Sequence, residues 1–299
     1  MKTSRELPGI ARLAIGNGGL PRYEITTPLA QAHVYLHGAH VTHYAPTGQS
    51  PVLFLSAQSC FEEGKPIRGG VPVIFPWFGP RKDHPESPMH GLVRTRAWEV
   101  ESLLQNPADG AVVLTLRLEP DAETRALWDA TNDWVVRHRI TVGAALTMEL
   151  EIENRGPAPF RCEEALHTYF QVGEVRDVQV RGLENTEYYD KADGMRRKRQ
   201  GDEPIAFTAE TDRTYVNTES PCIISDPGLR RRILVEKTRS ASTVVWNPWS
   251  AKARALPDYG DDEWTSMVCV ETGNVADNAL EISPGARHVT RTVVSVETH

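Results

Sequence analysis

The sequence predicts an all-β protein, a large antiparallel β-sandwich built as one domain over residues 1–299, and three observations carry that expectation. Short runs rich in Val, Ile, Thr and aromatic residues recur from end to end, separated by turn signals such as PADG, RGPAP and SDPG. Strand and helix patterns do not alternate, which excludes a parallel doubly wound sheet. At 299 residues, with no long Gly/Ser/Pro linker and no internal repeat, the chain is long enough to stack sheets around one sizeable core.

The elements follow in order. HVYLHGAHVTHY (residues 33–44) reads as strand–turn–strand about Gly38. PVLFL (51–55), VPVIFPWF (71–78), AWEVESLL (97–104) and AVVLTLRL (111–118) read as strands. DAETRALWDA (121–130) is the one segment with a helical pattern, too short to anchor a helical layer. WVVRHRITV, LTMELEIEN, ALHTYFQV, RILVEKT, STVVWN, SMVCVE and HVTRTVVSV supply the remaining strands. GNGG (16–19) lacks the Lys and Ser/Thr of a phosphate-cradling loop and reads as a turn. The basic run from Arg196 to Arg199 reads as a solvated loop.

Composition narrows the function. With 33 Lys and Arg against 40 Asp and Glu, the net charge of −7 argues against a nucleic-acid partner. The four cysteines form no CxxC pair, so neither a zinc site nor a disulfide framework is expected. No segment has the apolar length of a signal peptide or a membrane span, and a cytoplasmic protein with no membrane partner is expected. His33, His37, His40 and His43 are spaced so that, on a strand, only His33 and His37 share a face. A metal site there is not expected.

Five stretches hold candidate chemistry. In EEALHTYF (163–170), period 2 puts His167 on the face of Ala165, Tyr169 and Gln171, away from Leu166 and Phe170. A lone histidine so placed is ordinarily structural. In MVCVETGNV (267–275), Glu271 shares a face with Met267 and Cys269 near the end of a strand. Desolvation there would raise its pKa and suit a base working near neutral pH, whereas a solvated strand-edge carboxylate would do nothing. Arg68 beside a glycine pair, and His90 and Arg94 in a glycine-bearing turn, offer either structural salt bridges or a forked grip on a dianion. Asp212 in ETDRTY is either a turn residue or an acceptor for paired sugar hydroxyls.

Taken together, RGGVPVIFPWFGP, HGLVRTRAWEV, EEALHTYF, ETDRTY, VVWNPWSAKARALPDYGDDEW and MVCVETGNV resemble, in order, the hexose-6-phosphate mutarotase branch of the aldose 1-epimerase family. The resemblance implies a large antiparallel β-supersandwich. It implies His167 as acid, Glu271 as base, and Arg68, His90, Arg94 and Asp212 as contacts to sugar and phosphate. At Met89 many members carry a substrate-contacting glutamine, so this chain departs from the pattern at one binding position. The implied reaction interconverts α and β anomers. A base removes the C1-hydroxyl proton, an acid protonates the ring oxygen, the C1–C2 bond turns, and closure occurs on the other face. No cofactor or metal is expected, and the expected partner is a small sugar phosphate bound by a monomer or weak dimer. The competing readings are a mutarotase of unphosphorylated aldoses and a sugar-binding module without turnover. Two arginines speak against the first, and the joint presence of His167 and Glu271 against the second.

Overall fold

The computed structural model describes residues 6–81, 84–129 and 131–298. Among these, 23 strands form antiparallel sheets of four, eight and nine strands and one two-stranded ribbon. The four-stranded sheet is a meander of Ala11–Ile15, Pro21–Thr26, Ala30–Tyr35 and His40–Pro46. The nine-stranded sheet begins with a second meander, from Glu99–Gln105 to Leu146–Asn154, and adds Arg287–Thr298, Arg231–Thr238 and three shorter strands. The eight-stranded sheet is centred on Ser242–Asn247 and Met267–Asn274.

Burial patterns explain how these layers pack. Leu146–Asn154 alternates buried and half-buried positions. Its outward glutamates 149, 151 and 153 meet Arg137, Arg139, Arg287 and Arg291 from neighbouring strands, so this face is solvated and ion-paired. Its inward side joins an extended cluster that also contains Tyr23 and Val34 of the four-stranded sheet and Phe170, Val245 and Val268 of the eight-stranded one. By contrast, every residue of Ser242–Asn247 and Met267–Asn274 is buried. One face of these two strands packs into the core, and the other lies beneath a polar cluster.

Three of the expected strands coincide with Trp134–Val142, Leu146–Asn154 and Ser242–Asn247. Residues 51–55 and 71–78 yield only isolated bridges and the two-residue strand Val73–Ile74, because Pro72 and Pro76 lack a ladder donor. EEALHTYF does not form one strand. It splits into Glu164–Leu166 and Tyr169–Gln171, with Thr168 N bonded back to Leu166 O at 2.9 Å, so His167 sits at a break.

The expected helix is Ala122–Leu127, capped by Asp121 accepting from Thr124 N. A second helix, Trp249–Ala255, was not expected, although Pro248 before it, Pro257 after it and its Ala, Lys and Arg content are helix signals. The basic run is an edge strand, Arg196–Arg199, rather than a loop. Its partner Glu187–Asp190 presents acids in register, and Lys198 bonds Asp190 at 2.7 Å.

Within the histidine row, the close pair is His33 with His43 rather than with His37. A register shift after His33 sets the two opposite each other, rings 5.1 Å apart. His37 and His40 each turn Nε2 to a backbone carbonyl, that of Lys65 and of Gly69.

Candidate active site

Strand register assembles the polar face of the eight-stranded sheet. Tyr169 lies opposite Cys269, Cys269 opposite Trp246, and Trp246 opposite Asp212, so these four form one row across the sheet. Glu271, two residues beyond Cys269, is on the same face. The break at residues 167–168 swings His167 over this row. Its backbone N–H bonds Pro72 O at 3.0 Å, and its ring stacks on Tyr169 with centroids 4.7 Å apart. Nε2 of His167 then lies 3.4 Å from Oε1 of Glu271, which is 1% exposed. Nδ1 of His167 and Oε2 of Glu271 are buried without a partner.

Around this pair stand cations and a second histidine. Gly69 has φ 108°, and a Cβ there would sit 2.6 Å from Phe54 O, so only glycine allows the turn that presents Arg68. Nη1 of Arg68 donates to the Tyr169 hydroxyl at 3.1 Å, and its Nε and Nη2 meet Asp258 Oδ1 at 3.2 and 3.1 Å. Gly91 is equally constrained, since a side chain there would collide with the Phe75 carbonyl. It orders the turn that holds His90, whose Nδ1 accepts from Gly79 N at 3.2 Å. That bond leaves Nε2 of His90 as the protonated nitrogen. The His90 ring meets the edges of Phe78 and His167 at 4.8 and 5.6 Å.

Arg94 donates to Met89 O at 2.7 Å, its Nε is buried without a partner, and among the described residues no carboxylate lies within ion-pair distance. On the far side, Asp212 lies 3.4 Å from Lys191 Nζ and 3.8 Å from Lys252 Nζ. Lys191 also sits 4.4 Å above the Phe78 ring.

This crowding sets proton affinities. Burial raises Glu271 well above the usual carboxylate range; Lys191 opposes that shift and Asp212 adds to it. Burial, then Arg68, Arg94 and Lys191, push His167 well below the usual imidazole range. The two shifts agree on one arrangement: a single proton on the pair, held on Glu271 while the site is empty. Burial and Arg94 likewise keep His90 neutral. Tyr169 and Asp258 hold Arg68 charged despite its burial, whereas burial and the neighbouring Arg68 bring Arg94 down to about 10. It still carries its charge at neutral pH. Arg68 is paired with Asp258, and Lys191 and Lys252 with Asp212 and Glu210; among the described residues Arg94 has no ion pair of its own, and Asp258 acts on it only from beyond pairing distance.

A family model described as aldose 1-epimerase matches residues 21–295. The chain belongs to the aldose 1-epimerase family. A candidate glucose-6-phosphate 1-epimerase of Escherichia coli K12 is 34% identical over 266 residues, 89% of this chain and 87% of its own length. One from Cenchrus ciliaris is 34% identical over 262 residues, 85% of this chain and 78% of its own. The solved structure of a candidate mutarotase from Salmonella typhimurium, 30% identical, superposes with a TM-score of 0.89 over 99% of this chain and 97% of its own. The expected antiparallel β-supersandwich is thus the fold of this aldose 1-epimerase.

Of the residues singled out in the sequence, His167, Glu271, Arg68, His90, Arg94 and Asp212 converge in this epimerase on one polar cluster. Met89 enters it through its carbonyl oxygen, while its residue as a whole is 54% exposed. Glu271 lies inside its strand, which runs on to Asn274, rather than at the end. Sequence reasoning missed Tyr169, Trp246, Cys269, Lys191, Phe78 and Asp258 as members. The period-2 pattern does place Tyr169 and Cys269 beside His167 and Glu271. Lys191 carries no local signal, because it arrives from a different hairpin.

Proposed function

We propose that this aldose 1-epimerase interconverts the α and β anomers of a hexose 6-phosphate, glucose 6-phosphate foremost, by acid–base ring opening and closure. The observation that carries the reading is Arg94: a charged guanidinium beside Arg68 whose buried Nε has no partner and which, among the described residues, has no carboxylate within ion-pair distance. A neutral sugar leaves that charge uncompensated, whereas a phosphate dianion satisfies it and accepts hydrogen bonds from the two guanidinium groups. The names of the E. coli and Cenchrus ciliaris relatives point the same way.

In this reading the acid is His167 and the base Glu271, and the phosphate helps to set their proton. In the empty site three cations, Arg68, Arg94 and Lys191, keep His167 neutral. A dianion on the two arginines offsets two of the three, and the proton of Glu271 can pass across 3.4 Å to Nε2 of His167. The ionised carboxylate then removes the C1-hydroxyl proton as the imidazolium delivers its own to the ring oxygen. The C1–O5 bond breaks, the aldehyde turns about C1–C2, and closure on the other face runs the same transfers in reverse. Both reacting oxygens are bonded to C1, so two groups lying this close together can serve them at once. Asp212 accepts from sugar hydroxyls, and His90 donates through Nε2.

The same reading treats residues 1–299 as one domain working in the cytoplasm on a small sugar phosphate, as a monomer or weak dimer, without nucleic acid, membrane or cofactor. The test is magnetisation-transfer NMR of anomer exchange with glucose 6-phosphate and with glucose. Acceleration confined to the phosphate ester supports the proposal. Equal acceleration of both sugars refutes the phosphate role.

A further inference from the structure

Cys269 has no part in the proton transfers, yet it lies on the same strand face as Glu271. One ligand atom each from His167, Cys269 and Glu271 lies within 4.8 Å of the other two. Tetrahedral zinc, with bonds of about 2.0–2.3 Å, needs roughly 3.3–3.6 Å between neighbouring ligands. The imidazole nitrogen and carboxylate oxygen, 3.4 Å apart, already meet that spacing. The sulfur has at most about 1.5 Å to travel, within reach of a side-chain rotation. A second observation concerns the same carboxylate: Glu271 Oε2 is buried without any hydrogen-bond partner, so the group has lone pairs free for an ion.

We propose that His167, Cys269 and Glu271 form an inhibitory site for a borderline-soft divalent cation of the zinc type, which takes the place of the sugar's anomeric centre. Nitrogen, sulfur and oxygen donors in a tetrahedral set select Zn²⁺ or Co²⁺ over Mg²⁺ or Ca²⁺. On binding, the thiol S–H and the Glu271 carboxyl O–H bonds break, sulfur–metal and oxygen–metal bonds form, both protons leave to solvent and no electron is transferred. Water fills the fourth position. Thiolate and carboxylate balance the two charges of the ion, while Asp212 faces Lys191 and Asp258 faces Arg68. Metal binding rests on this geometry alone. Inhibition rests in addition on the reading of His167 and Glu271 as acid and base, whose lone pairs the ion occupies.

The experiment starts from chelator-treated enzyme. Full activity, lost on adding Zn²⁺, restored by chelator and unaffected by Mg²⁺, is the expected pattern; activity that needs zinc overturns the proposal. With Co²⁺ the wild type should show a thiolate-to-cobalt charge-transfer band. Cys269→Ser should abolish the band and raise the half-inhibitory Zn²⁺ concentration at least about tenfold, the low end of what losing a ligand's supporting contact costs. A band that survives in Cys269→Ser, or equal zinc sensitivity of variant and wild type, sinks the idea. If the serine variant does not fold, Glu271→Gln carries the test, and unchanged cobalt affinity there overturns it. Cobalt binding without inhibition keeps the metal site and counts against the acid–base roles instead.

Discussion

On the proposed reading, replacing Arg94 by Ala should separate recognition of the phosphate from the chemistry at C1. Its Nη2 bonds only a backbone carbonyl, its Nε has no partner, and among the described residues no acid depends on it for neutralisation. Removal therefore leaves no buried carboxylate stranded. A charge-assisted hydrogen bond contributes about 1.5–3 kcal/mol, so one lost contact should raise KM for glucose 6-phosphate about ten- to a hundredfold. Slow turnover of glucose should be nearly unchanged, because His167 and Glu271, the proposed acid and base, are untouched. Any change should be a gain, since Arg94 is one of the cations that hold His167 neutral. Arg94→Lys should recover only part of the loss, a point charge replacing a planar fork. The assay is anomer exchange measured with both sugars over a range of concentrations. Equal losses on glucose and glucose 6-phosphate would mean that Arg94 is structural, and the argument from its unbalanced charge would fail.

Arg68→Ala should behave differently, because Asp258 and the Tyr169 hydroxyl lose their partner. A cost of about 1–3 kcal/mol in stability should appear as a Tm lower by several degrees, with both substrates affected; an unchanged Tm contradicts the account of Asp258. Glu271→Gln and His167→Asn, each nearly isosteric, should lower the exchange rate about 10²–10⁴-fold while circular dichroism is preserved; wild-type turnover in either removes that residue from the mechanism. Activity should follow a bell in pH, since the pair works with one proton: a second proton at low pH and loss of the first at high pH both stop it. Lys191 favours the deprotonated form of both partners, so Lys191→Met should move both limbs to higher pH. Limbs that stay in place would show that its ammonium does not act on the pair.

The residues of the site were legible in the sequence to the extent that chemistry follows residue type and strand period. Glu271 and Cys269 share a face by simple alternation, and Arg68, His90 and Arg94 stand beside glycines whose positive φ angles shape the turns that carry them. The second helix was also written in its flanking prolines and went unread. Where residues from separate strands had to be joined, alternation was silent. His43 finds His33 across a hairpin whose register slips by a residue, which no spacing rule along one strand can show.

By itself, then, the sequence determined the class of fold, the antiparallel layers and the kinds of group available for proton transfer and anion binding. These depend on local hydrophobic period, turn chemistry and side-chain type, all short-range properties of the chain. Tertiary structure alone decided the break that lifts His167 over the sheet, the 3.4 Å approach to Glu271 and the arrival of Lys191 and Asp258 from distant segments. It also decided which partner of the pair keeps the proton, because that is set by burial and by charges summed through space rather than along the chain.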